Sequence, residues 1–140
     1  FMALSMRSWA GFNDAAEMPT YLYFMTHVPP AYPIYLDDQP EISLPGGPRS
    51  AGAYHSGDLA FVFNNIGQPS VAWTSADATL ANLMSRYWTN FAKTGDPNDS
   101  DLPDWPRYTR TDQTTLELNV PPVILEGARR EKLDLLEEGE

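Results

Sequence analysis

The segment from Thr20 to His27 restricts the fold of this chain more than any other stretch of its sequence. Its residues, TYLYFMTH, are almost all apolar or aromatic, and the following VPP ends the run. A short unbroken apolar run of this kind is typical of a strand that is covered on both faces, as in a parallel sheet. Such a strand needs parallel neighbours, and the one other strand pattern, Thr114 to Val120, lies far away in sequence. We therefore predict that the chain is part of a larger α/β domain.

Helical periodicity is clearest between Ser75 and Lys93. Thr74 and Ser75 are favourable N-cap residues, and Gly95 suits a left-handed helix stop. Apolar residues repeat there at intervals of three and four, which forms one wide stripe for packing: Leu80, Leu83, Met84, Tyr87, Trp88 and Phe91. We predict one long helix whose stripe, including Trp88 and Phe91, belongs to the core.

Shorter helices are predicted near the two ends of the chain. Met2 to Phe12 carries apolar residues at near-helical spacing, and Gly11 with Asn13 and Asp14 is a favourable end for that helix. Glu126 to Glu138 is predicted as a highly charged helix, so that residues 126–140 form a solvated helix and tail. The stretch AYHSGDLAFVF, which ends at Phe63, fits either a short helix or a strand, because periodicity does not separate them over this length.

Charge and residue content exclude several classes of partner and site. The 19 acidic and 9 basic residues give a formal net charge of −10, which repels phosphate backbones and anionic membrane surfaces. No window approaches the roughly 18 uninterrupted apolar residues of a membrane-spanning helix. Because the chain has no cysteine, it has no disulfide, thiolate metal site or cysteine nucleophile. We predict neither a nucleic-acid partner nor a membrane span, and the cellular compartment stays open.

Two histidines are the candidate proton-transfer groups of the chain, since imidazole both takes and returns a proton near neutral pH. His27 ends the predicted strand and is interpreted as a capping or packing residue. His55 lies in a polar stretch with glycines on both sides, and loops on a rigid scaffold often carry catalytic groups. Histidines near glycine also occur in plain turns, and the chain has no G-x-S-x-G or H-E-x-x-H motif. Local sequence leaves both interpretations of His55 open.

Five sequence blocks follow one another in the order YLYFMTHVPP, GAYHSGDLAFVF, SRYWTNFAKTGDPN, WPRYT and LELN. In this order and spacing they resemble the C-terminal part of the type-B carboxylesterase and lipase family, which includes cholinesterases. The resemblance covers about Thr20 to Asn119, and its most specific blocks are those around His55 and from Tyr87 to Asn98. It implies that residues 1–140 are the C-terminal part of an α/β-hydrolase fold and not a complete domain. A first residue Phe1 in place of methionine fits that expectation.

The resemblance also assigns roles to residues of the GAYHSGDLAFVF block. The family uses a Ser-Glu-His triad in which the histidine comes last along the chain. His55 stands at that position, which implies a general base toward the serine hydroxyl and a general acid toward the leaving alcohol. Asp58 matches an acidic position three residues on and is expected to hold the loop, not to serve as the triad acid. Ser56 stands where family members frequently have glycine.

A carboxylic-ester hydrolase is the function that the resemblance implies, with a small-molecule ester as substrate and neither a metal nor an organic cofactor. The nucleophilic serine and the glutamate are expected in the N-terminal part of the same protein. The proline-rich loop from Val28 to Ser50 is a candidate for the rim or lid of the substrate pocket, with Tyr32 and Tyr35 lining it, and an ordered surface loop is the alternative.

Two other functions stay open at this point. A non-catalytic, cholinesterase-like binding or adhesion protein would share the fold, although the retained His55 favours the enzyme. The second alternative is an independently folded small domain whose resemblance to the family is incidental. A serine in an upstream G-x-S-x-G turn would favour the enzyme over the binding protein. The sequence does not name the ester.

Overall fold

The computed structural model describes residues 2–31, 47, 49–69 and 71–137. The chain divides into two compact units, of which one comprises Phe1–Phe24 with Pro103–Glu140 and the other Met25–Leu102. Helices and a three-stranded sheet are both present, as the predicted α/β class requires. In chain order the elements are α1 (Met2–Ala15), β1 (Tyr23–Met25), α2 (Leu59–Val62), α3 (Ser75–Thr94), β2 (Thr115–Leu118), β3 (Val123–Leu125) and α4 (Arg130–Glu137).

The sheet has the strand order β1-β2-β3. Strands β2 and β3 are antiparallel, with Leu116 opposite Ile124, and the Leu116 amide donates to the carbonyl of Leu22 at 2.9 Å. The strand predicted at Thr114 to Val120 is confirmed as β2, but three of its four residues are buried, so it is less exposed than its alternating pattern indicated. Strand β3 has only three residues, which is too short for the period-two pattern to identify it.

Strand β1 corrects the prediction for Thr20 to His27. Only Tyr23–Met25 is a strand, and its residues are exposed or half-buried within the described chain because it lies at an edge of the sheet. Its aromatic side chains pack on one residue of the same unit: the rings of Tyr21 and Tyr23 each meet the ring of Trp105 edge-on, with centroids 6.1 Å apart. Within the described chain, Trp105 covers these two rings, and burial of the strand on both faces stays a prediction.

Helix α1 confirms the helix near the N-terminus and runs past the predicted stop. Gly11 lies buried inside it, where a Cβ atom would come within 2.9 Å of Nε of Arg110. Glycine at this position leaves room for the arginine side chain. The helix instead ends before Glu17, which has a left-handed φ of 57°, and the amide of Met18 closes the last turn on the carbonyl of Asn13 at 2.8 Å.

Helix α1 packs against α4 in the same unit. The guanidinium of Arg7, which is 7% exposed, donates to Asp134 at 2.6 Å and to Glu137 at 2.7 Å. Helix α4 begins only at Arg130, because Gly127 and Arg129 have left-handed φ angles of 60° and 59°. The buried apolar side chains of this unit are Leu4, Ala10, Trp105, Tyr108, Leu116, Leu118 and Leu133.

Helix α3 forms the frame of the second unit and confirms its sequence signals. A capping box joins Thr74 and Asp77 at its start, and Gly95, with a φ of 77°, ends it. Its buried face packs on α2 and includes Leu80, Ala81, Met84 and Tyr87. Trp88 is half-buried and Phe91 is 48% exposed, so neither side chain is fully buried within the described chain, and their place in the core stays a prediction. Within the described ranges, no helix has the length and apolar content needed to cross a membrane.

Candidate active site

His55 lies on a tight turn that leads directly into α2. The amide of Gly57 donates to the carbonyl of Tyr54 at 3.0 Å, and the amide of Leu59 donates to the carbonyl of Ser56 at 3.2 Å. The His55 side chain is exposed. Neither ring nitrogen of His55 makes a hydrogen bond to another residue in the ranges that the structure describes. The turn thus presents an imidazole whose two nitrogens are open to other groups.

The backbone of Ser56 explains the glycine that the resemblance places there. Ser56 has a φ of 65°, in the left-handed region, where a residue with a Cβ atom is disfavoured by about 1–2 kcal/mol and glycine is not. The Ser56 hydroxyl donates to the carbonyl of His55. Such local side-chain bonds are typical of serine in turns, so serine is compatible with the same turn.

Two buried prolines support the turn from one side. We call Val28 to Pro30 the proline floor. The Tyr54 hydroxyl donates to the carbonyl of Pro30 at 3.2 Å. A Cβ atom on Gly57 would lie 2.9 Å from Cγ of Pro29, so only glycine lets the turn approach the floor this closely. The residues on both sides of His55 are therefore in contact with the proline floor.

A wholly buried carboxylate, that of Asp77, ties the residues around the floor to the first turn of α3. His27 Nε2 lies 2.7 Å from Asp77 Oδ1, and both terminal nitrogens of Arg49 donate to the carboxylate. The amide and hydroxyl of Thr74 donate to it at 2.6 Å and 2.7 Å. Arg49 also donates to the carbonyl of Val28 at 2.5 Å. We call Asp77, Arg49 and His27 the Asp77 cluster.

The charge of the Asp77 cluster follows from these contacts. Burial raises the pKa of the Asp77 carboxyl, but hydrogen bonds from Arg49, His27 and Thr74 outweigh burial and hold the pKa well below its ordinary range. The carboxylate only accepts hydrogen bonds, so His27 Nε2 carries the proton that it shares with Asp77. The ring of His27 also meets the buried ring of Phe61 edge-on, with centroids 5.5 Å apart. The interpretation of His27 as a packing residue is confirmed.

The other residues predicted for the site have different outcomes. Asp58 is half-buried on the same turn as His55, and its carbonyl accepts from the amides of Phe61 and Val62 at 3.0 Å each. Its side chain makes no capping bond to α2. Tyr32 and Tyr35, the candidates for a pocket rim, lie outside the described residues. Among the residues that the structure describes, no three His, Asp or Glu side chains are grouped as a metal site would require.

Sequence reasoning missed the Asp77 cluster. Asp77 was recognisable as a residue of the first turn of α3, since the capping-box pattern is local. Its partners His27 and Arg49 are 50 and 28 residues away along the chain, and no periodicity or motif connects residues at such separations. Only the packing of α3 against the preceding segments brings these side chains together.

Comparison with known proteins gives one family. The family model described as the carboxylesterase family matches residues 1–136. Carboxylesterase 4A from Bos taurus is 32% identical over 126 residues, which is 89% of this chain and 20% of that protein. Bile salt-activated lipase from Bos taurus is 41% identical over 88 residues, or 61% and 15% of the two chains. Cocaine esterase from Homo sapiens is 30% identical over 121 residues, or 86% and 20%. The chain spans about one fifth or less of the length of these relatives.

Proposed function

Since the chain belongs to the carboxylesterase family, we propose that the protein is a carboxylic-ester hydrolase and that His55 is the histidine of its Ser-Glu-His triad. The nucleophilic serine and the glutamate come from the N-terminal part of the same protein. The substrate is a small-molecule ester. His55 takes the proton of the serine hydroxyl during attack on the ester carbonyl and returns it to the leaving alcohol.

The observation that carries this proposal is the state of the His55 imidazole. A triad histidine needs one ring nitrogen for the carboxylate that orients it and the other for the serine hydroxyl. Both nitrogens of His55 are without a hydrogen bond among the described residues, and the ring is exposed. His27 is different, because its Nε2 is already engaged with the buried Asp77. Of the two histidines, His55 is the one available for proton transfer.

The relatives support the substrate class. Their names include carboxylesterase, cocaine esterase and bile salt-activated lipase, and ester hydrolysis is the chemistry that these names share.

The test uses the full-length protein with a chromogenic short-chain ester and a serine-directed organophosphate. The parent should hydrolyse the ester and lose activity to the organophosphate. His55→Ala should lower kcat by at least about 1,000-fold, since loss of a triad base costs several orders of magnitude. Added imidazole should restore part of the rate to His55→Ala but not to His55→Gln, in which the larger side chain fills the space of the ring.

A His55→Ala variant with the parental kcat would contradict the assignment of His55. A parent protein that neither hydrolyses any of a panel of esters nor reacts with the organophosphate would favour a non-catalytic binding protein and end the enzyme proposal.

A further inference from the structure

The Asp77 cluster lies in the same unit as His55 and does not contact its ring. We propose that Asp77, together with Arg49 and His27, is a positioning device that sets the place of the His55 turn through the proline floor. This inference rests on the proposed function, because a position matters only if His55 transfers a proton. Its residues act through His55 and do not touch the reacting atoms.

The first link joins the cluster to the floor. His27 directly precedes Val28, and its ring is bonded to Asp77 at 2.7 Å. One Arg49 nitrogen, Nη1, donates both to the Val28 carbonyl at 2.5 Å and to Asp77 Oδ1 at 3.2 Å. A side chain and a main-chain carbonyl at the start of the floor are thus fixed to one buried carboxylate on α3. Because α3 is long and capped at both ends, it is a rigid reference for the floor.

The second link joins the floor to the turn. Tyr54 and Gly57 stand on either side of His55, and each of them contacts one of the two prolines. The space between Gly57 and Pro29 is too small for a side chain, since an added Cβ atom would be 2.9 Å from the Pro29 ring. A displacement of the floor therefore moves both ends of the turn and with them the imidazole.

A third link runs from the other end of the turn. Phe61 lies on α2, six residues after His55, and is wholly buried. Its ring meets His27 at 5.5 Å and Trp73 at 5.9 Å, edge-on in both cases. The helix that follows the turn is thus packed on the same histidine that Asp77 holds. The turn is fixed from both of its flanks to the Asp77 cluster.

This matters for the reaction because proton transfer depends steeply on geometry. A misplacement of about 1 Å in a catalytic group typically costs on the order of 100-fold in rate, and catalytic groups have to be held within about 0.5 Å by their supporting residues. Asp77→Asn replaces one carboxylate oxygen by an NH2 donor, so the hydrogen bonds to that oxygen are lost, and Arg49 is left without its counter-charge. Arg49→Lys keeps the positive charge but not the two-nitrogen fork that reaches Asp77 and Val28 at once.

The chain offers a matched pair of controls on the same helix. Arg86 of α3 binds both carboxylate oxygens of Asp99 at 3.0 Å. Among the described residues, neither side chain makes a hydrogen bond or ion pair to the floor or the turn. Asp99→Asn and Arg86→Lys therefore repeat the two chemical changes at another arginine–aspartate pair. Both control variants should keep the parental kcat.

The experiment measures kcat and KM of the full-length variants per active site, with the number of sites counted by complete reaction with the organophosphate. Counting sites removes the contribution of unfolded protein. We expect Asp77→Asn and Arg49→Lys to lower kcat per site by about 10- to 100-fold while KM stays within about twofold. Tyr54→Phe, which removes the hydrogen bond to Pro30, should lower kcat by a smaller factor. In the double variant with Asp77→Asn, the two losses of kcat should be less than multiplicative, because both substitutions act through the floor.

The outcomes separate this inference from the proposed function. If His55→Ala is inactive while Asp77→Asn and Arg49→Lys keep the parental kcat per site, the positioning role is overturned and the triad assignment stands. A loss that appears only in the number of titratable sites would also overturn it, since the cluster would then have a purely structural role. If His55→Ala is fully active, the proposed function itself fails.

Discussion

Asp77→Asn should also destabilise the folded protein, and the size of the loss follows from the contacts of the carboxylate. Removing one member of a buried ion pair costs about 3–5 kcal/mol, because the other charge is left buried and unpaired. The Arg49 side chain is 31% exposed, so water hydrates part of its orphaned charge. We therefore expect the free energy of unfolding to fall by about 2–3 kcal/mol.

The loss should depend on pH in a defined direction. The pKa of Asp77 is lower in the folded state than the value of about 3.9 for an unfolded aspartate. A depressed pKa stabilises the folded state fully at pH values above the unfolded pKa, and that contribution is lost as the pH falls through the folded pKa. The difference in stability between parent and Asp77→Asn should therefore be constant above about pH 5 and shrink below about pH 4.

Urea unfolding of the full-length variants, followed by circular dichroism at several pH values, measures both quantities. Asp99→Asn should lower the stability clearly less than Asp77→Asn, because Asp99 pairs with Arg86 near the surface, where water hydrates both groups. The double variant Asp77→Asn with Arg49→Met has no unpaired arginine charge. Its loss in free energy of unfolding should therefore be smaller than the sum of the two single-variant losses by at least about 1 kcal/mol. An additive double variant, or a stability difference that grows below pH 4, would refute the reasoning.

Two further outcomes follow from the backbone of the His55 turn. Ser56→Val should lower the free energy of unfolding by about 1–2 kcal/mol relative to Ser56→Gly, because the left-handed φ of 65° disfavours a branched side chain. Urea unfolding measures this difference, and equal stability of the two variants would contradict it. Gly57→Ala should lower kcat per site by about tenfold or more, because its Cβ atom would press on Pro29 and displace the turn. The control is Ala53→Ser, a substitution at an exposed residue near His55, and it should keep the parental rate. A fully active Gly57→Ala would contradict this prediction, because the turn would then tolerate displacement.

Helix α3 shows what local sequence predicts well. Its start and end depend on interactions within a few residues, namely the capping box of Thr74 with Asp77 and the left-handed Gly95. Its buried face depends on a period that the sequence carries by itself. Phe91 is 48% exposed within the described chain. Periodicity indicates which side chains share a face but not how far along the helix the neighbouring elements cover that face.

Strand β1 and helix α1 show where local sequence fails. Thr20 to His27 was predicted as one strand, but only Tyr23–Met25 is a strand, and Tyr21 and Tyr23 contact Trp105, more than 80 residues away. Gly11 was interpreted as a helix stop, but it leaves room for Arg110, which is also distant in sequence. In both cases the residue contacts a side chain far away in sequence, and the neighbouring sequence gives no indication of that contact.

The sequence by itself determined the position of the His55 turn, the caps and the stripe of α3, and the family resemblance, because each depends on the order and spacing of neighbouring residues. Only the tertiary structure decided that Gly57 rests on Pro29 and that Asp77 binds His27 and Arg49. These features depend on contacts between residues far apart along the chain. Within the described residues, His55 is exposed and its ring nitrogens make no hydrogen bond, whereas the ring of His27 is held by the buried carboxylate of Asp77.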